Sequence, residues 1–171
     1  MTMAARGNRM TCRVLLAMAM AYACQLSANA ADVLPAYLVG TWGTAASLYE
    51  GTTGQSQMHL QADGFGVMVG STPPAIRQDD VDDGKPAPRA IIGFPVRATV
   101  DGDVLTAQPF LRTPHAGQGT APPIICHHEA AGPTLTCTGP DKMPMAMQRH
   151  SATVPAEIAA MIDGIRQQTG H

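Results

Sequence analysis

Aromatic side chains are scarce in this chain, with one Trp, three Tyr and three Phe among 171 residues. A core with so few large rings is modest in size and gains from a covalent staple. Charge is also scarce, at 14% Asp, Glu, Lys and Arg with a net charge of −2. No basic stripe is present to neutralise phosphates, which argues against nucleic acid and anionic membrane surfaces as partners. No apolar run approaches the ~20 residues needed to cross a bilayer as a helix. Catalytic signatures are absent too. There is no Gly-x-Ser-x-Gly, no His-Glu-x-x-His and no glycine-rich loop between a strand and a helix, so binding is expected rather than catalysis, and no cofactor is implied.

What is present begins with export features. Arg6, Arg9 and Arg13 are the only charged residues among the first thirty, and they precede the ten-residue apolar run Val14 to Ala23. That run has the length of a signal h-region and is too short to anchor. Ala28-Asn29-Ala30 places small residues where a signal peptidase reads, so cleavage after Ala30 is expected, with residues 31–171 as one mature domain. A lipid on Cys24 would need a lipobox, and Tyr22 is bulky for that role. Removing the three arginines leaves eight Lys and Arg against thirteen Asp and Glu, a net charge of −5. It also leaves two cysteines, Cys126 and Cys137, which in an oxidising periplasmic or extracellular compartment are expected to form a disulfide. The mature protein is expected to be a monomer.

Turn residues divide the mature chain into short β-like runs. They are Leu38 to Ala45, Gln57 to Ala62, Phe65 to Val69, Ala90 to Val100, Val104 to Arg112, Ile124 to Glu129, Thr134 to Thr138 and Met143 to His150. Asp63-Gly64 predicts a two-residue hairpin loop, which would set Ala62 opposite Phe65, Leu60 opposite Val67 and Met58 opposite Val69. All six apolar side chains would then share one face, whereas a slip of one residue would bury His59 and Gln61. Pro95 suggests an edge or a bulge. Residues 71–89 hold four prolines and four aspartates without an apolar period, predicting a long acidic loop. Its Asp79 to Asp83 run lacks the ligand spacing of a calcium loop. About eight short strands joined to their sequence neighbours predict an all-β antiparallel meander closing into a small barrel.

The cysteines fix one hairpin more closely. If Cys126 faces Cys137, then Glu129 faces Thr134 and Ala130 to Pro133 form the loop, which keeps Pro133 out of the ladder. Ile124, Cys126, His128, Leu135 and Cys137 then share the inner face. At the C-terminus Pro155 suits a first helical position, and Ile158, Met161, Ile162 and Ile165 recur at helical spacing. An amphipathic helix over 155–168 is expected to pack on the outside of the barrel.

Gly40-Thr41-Trp42 in the first run resembles the Gly-x-Trp signature of lipocalins and related calycin barrels. The resemblance implies a tryptophan closing one barrel end under an arginine from the last strand, a role Arg149 could fill by stacking on the indole. It implies ligand binding in the interior. The candidate lining for a small apolar molecule is Trp42, Met58, Leu60, Phe65, Val67, Met143, Met145 and Met147, with Arg149 at the closed end. An alternative partner is another exported protein, as in small periplasmic protease inhibitors that are β-barrels with one disulfide and a similarly placed Trp. A second alternative is copper, held by the thioethers of Met143, Met145 and Met147 with His128 or His150. Adjacent His127 and His128 point to opposite faces of a strand, which disfavours a Cys/His metal site there, and no metal ligands are assigned.

Overall fold

The computed structural model describes residues 33–76, 87–110, 121–129 and 132–169. Residues 1–30, expected to be a signal, the acidic run Asp79 to Asp83 and the end of the fifth predicted run therefore lie outside the described residues. Among the described residues eight strands are present: β1 (Gly40–Gly43), β2 (Ser56–Leu60), β3 (Phe65–Ser71), β4 (Ile91–Asp101), β5 (Val104–Pro109), β6 (Ile124–Glu129), β7 (Thr134–Thr138) and β8 (Pro144–Ser151). They form a closed barrel in sequence order, every neighbour antiparallel, with β8 returning to β1. One helix, α1 (Ala156–Thr169), follows. The architecture is the expected all-β antiparallel meander, a small closed barrel with a C-terminal helix.

Short turns gather at one end of the barrel, and the connections 44–55, 72–90, 110–123 and 139–143 at the other. At the short-turn end, the segment from Leu34 to Val39 plugs the interior, with Leu34 and Leu38 buried. Trp42 is fully buried above it and donates from Nε1 to the Leu38 carbonyl at 2.8 Å. Met58, Leu60, Val96, Leu105, Leu135, Met147 and the Cys126–Cys137 pair complete a core without exposure.

The β6–β7 hairpin has the expected register, Cys126 opposite Cys137 and Glu129 opposite Thr134. The disulfide is formed across a Cα separation of 3.9 Å. The β2–β3 hairpin differs from expectation by one residue. Met58 pairs with Met68, His59 with Val67 and Leu60 with Gly66. Its loop holds three residues, with Gly64 at φ 81°, the left-handed position that closes such a turn. His59 is accordingly buried, at 4% exposure.

The physical reason is the helix. Phe65, Val67 and Ile162 form a second cluster outside the barrel, joined by Val69, Phe110, Val154 and Ile158. Both faces of β3 are thus covered, so apolar alternation could not choose between two registers that each bury an apolar set. Arg166 pairs with Asp63 of the hairpin loop and with Asp163 at 2.5 Å, tying the helix to that loop.

Pro95 lies within β4, opposite Val67 of β3. Pairing of β4 with β5 begins at Val96 opposite Pro109, with one further bond from Phe110 N–H to the Pro95 carbonyl at 3.1 Å, so β4 overhangs β5 by the stretch Ile91 to Phe94. The missing N–H therefore falls at the last contact of the β4–β5 ladder, where its loss removes one terminal bond only.

Candidate functional site

The Gly40-Thr41-Trp42 triplet works as a unit. Gly40 has φ 123°, and a Cβ there would sit 2.1 Å from the Ser151 carbonyl oxygen, so only glycine fits where β1 crosses the end of β8. Thr41 faces outward, its hydroxyl 3.1 Å from His59 Nδ1 and 3.2 Å from the Thr153 carbonyl. Trp42 faces inward and is paired in register with Arg149. The Arg149 guanidinium carbon lies 6.0 Å from the indole centroid, at the outer limit of a cation–π contact. Its firmer ties are donations to the carbonyls of Ala36 at 2.8 Å and Val39 at 2.5 Å. Arg149 thus pins the plug segment, with His128 edge-on to Trp42 and Tyr37 over His128 at 4.8 Å.

The opposite end is hollow. A cup of about 780 Å³ opens among the long connections. Met68 from β3, Ile92 and Phe94 from β4, Ile124 from β6 and Met145 from β8 supply its apolar walls, and Ser56, Thr72, Asp141 and Met143 reach its rim. Period-two alternation aims these side chains inward, and beneath them the fully buried residues begin. The rim is held in shape by Arg89, which donates to the carbonyls of Thr53 at 2.7 Å, Thr72 at 3.2 Å, Glu50 at 3.1 Å and Gly51. Large apolar side chains stay in water at the mouth, with Ile92 and Met143 each 68% exposed.

The residues predicted from the sequence divide three ways. Met145 and Met143 line the cup, although Met143 precedes β8 and sits at the rim. Trp42, Met58, Leu60 and Met147 point inward but are closed over by packing, so they form floor and core rather than lining. Phe65 and Val67 are corrected: the one-residue change of register carries them outside, under α1. Met68, Ile92, Phe94 and Ile124 were missed as lining. The signal that could have found Met68 was its two-residue spacing from Gly66 and Gly70, small residues that leave room on the same face.

A smaller cavity of about 540 Å³ lies outside, between α1 and strands β2 to β4, lined by His59, Glu157, Val69, Ile158 and Met161 among others. Burial holds the His59 imidazole below its ordinary pKa of 6.5, with the Glu157 carboxylate opposing in part. No group of three His, Cys, Asp or Glu able to hold a metal is found among the described residues. His150 turns away from Met145 and Met147, its Nε2 3.2 Å from the Gly43 carbonyl, and His128 belongs to the plugged end. His150 and the Met145–Met147 face proposed with it for copper thus lie on opposite sides of β8.

No family model and no curated protein matches this chain. Among solved structures it is similar to a lipoprotein, YedD, from Klebsiella pneumoniae, at 14% identity and a TM-score of 0.43, over 80% of this chain and 91% of that one. At that level the likeness bears on no residue of the cup.

Proposed function

We propose that this protein is an exported binding module whose open barrel end receives a small apolar molecule or apolar group. The observation that carries this reading is the division of the barrel interior into a plugged end and an apolar cup of about 780 Å³. That volume is within the range of about 300 to 1,000 Å³ usual for sites that enclose small molecules. Export is supported by the charged, apolar and small-residue order of the first thirty positions and by a buried disulfide, which persists in oxidising compartments.

The test is a fluorescence titration of the purified mature chain with N-phenyl-1-naphthylamine, an uncharged apolar probe. Saturable binding with one site is expected for the wild type. Met145→Trp adds volume to the cup wall and is expected to weaken the probe at least about tenfold, equivalent to ~1.4 kcal/mol. Wild-type protein that shows no saturable signal overturns the reading.

A further inference from the structure

The cup has one wall whose backbone is unfinished, and this bears on what enters it. Pro95 of β4 accepts from Phe110 N–H through its carbonyl at 3.1 Å, so its peptide groups face the β5 side. Ala98 N–H donates the other way, to Gly64 of the β2–β3 turn at 2.7 Å. In an antiparallel ladder these directions alternate, which turns the N–H and C=O of Ile91 and Gly93 toward the β5 side. There β4 has overhung its neighbour, since its pairing with β5 starts at Val96. Among the described residues none bonds to those four groups. Ile91 is 41% and Ile92 68% exposed.

A strand edge without a partner among the described residues, bordering an apolar cup, is a docking site for an extended chain, because a small hydrocarbon cannot use the edge and a peptide can use both. We propose that the partner of the cup is an extended protein segment that adds as a short strand to β4 at Ile91 and Gly93 and lowers an apolar side chain between Ile92, Phe94 and Ile124. This rests on the cup being a binding site and names the class of its occupant. Successive edge residues lie about 6.8 Å apart, the repeat of alternate residues in any strand, so side chains two apart from the partner face the cup in step. Pro95, lacking an N–H, ends the pairing and keeps the added strand short. The net charge of −5 on residues 31–171 disfavours a second copy and an acidic segment, and favours a neutral or basic one. The chain's own connection from β5 to β6, Leu111 to Pro123, offers a single large apolar residue, Leu111, and is a poor match to the cup.

The experiment uses the mature chain and a fluorescein-labelled peptide, Lys-Thr-Val-Thr-Leu-Thr-Lys with blocked ends, followed by anisotropy. Two further versions carry N-methyl groups on alternate amides, one set on each edge of the strand. The unmodified peptide is expected to bind, one methylated version to lose at least about tenfold and the other to keep its affinity. Gly93→Pro removes the edge donor without touching the β3 ladder or any cup side chain, and should lose the peptide while retaining N-phenyl-1-naphthylamine. No peptide binding up to about 1 mM, or equal loss with both methylated versions, overturns the proposal. A dimer that the peptide fails to dissociate assigns the edge to a second copy and overturns it as well. Probe binding without peptide binding removes this inference alone, whereas failure of both removes the cup reading too.

Discussion

His59 is a polar residue carried into an apolar layer, 4% exposed between the barrel and α1, with Thr41 as its hydrogen-bond partner. Its pKa is lowered mainly by burial, so the neutral ring is the folded form. Well above pH 6.5 the imidazole is neutral in both folded and unfolded chains and contributes no pH slope. As pH falls below that value the unfolded chain takes up the proton first, and stability drops until the lowered folded pKa is passed. His59→Gln keeps a partner for Thr41 and is expected to flatten this slope, which thermal unfolding from about pH 7.5 to 4.5 measures. Parallel curves for the two proteins would contradict the burial account. At this scale the sequence was legible at Gly40 through the Gly-x-Trp resemblance, and the close Ser151 carbonyl that requires glycine there came from the structure. It was not legible at His59, because nothing local announces which histidine a distant helix will cover.

The two hairpins show why one strand pair could be read and another could not. In β6–β7 the cysteines supply a covalent register mark, and Pro133 excludes a shorter loop, so the pairing followed residue by residue. Removing the mark should matter. Cys126→Ala with Cys137→Ala is expected to lower unfolding free energy by about 2 to 3 kcal/mol, read as a lower urea midpoint at unchanged slope. The same protein should then give identical midpoints with and without reductant, whereas the wild type should not. In β2–β3 the Asp63-Gly64 pair fits either a two- or a three-residue loop, and β3 carries apolar residues on both faces. Only the docking of Ile158 and Ile162 decides that Phe65 and Val67 face outward. The helix was readable as an element, but the strand that it covers was not.

Across the whole molecule the barrel is packed at one end and hollow at the other, and the two ends should answer the same substitution differently. Met147 is fully buried beside Leu135, while Met145, two residues earlier on the same face, reaches the cup. Met147→Trp is expected to destabilise by about 1 to 3 kcal/mol through overpacking. Met145→Trp has space to fill and is expected to change stability by less than about 1 kcal/mol while blocking the probe. Denaturant unfolding of both variants checks the contrast, and equal losses would mean that the cup is filled in solution. A stripe of alternating methionines announces an apolar face but not whether atoms or space lie opposite it.

Strand order and the disulfide were readable from the chain alone, because each rests on neighbours in the chain or on a residue type with one physical use, and the pairing of Trp42 with Arg149 was reached through the Gly-x-Trp resemblance. The meander was readable as well, since strands that follow one another in the chain tend to be neighbours in a sheet even across long connections. Long-range packing settled which end of the barrel is closed, which face of β3 meets the helix and where β4 runs past β5. Those outcomes depend on the plug from Leu34 to Val39, on α1 and on strand lengths summed around a closed ring. None of them is encoded within the span of a single hairpin, and the cup and its open edge exist only where they meet.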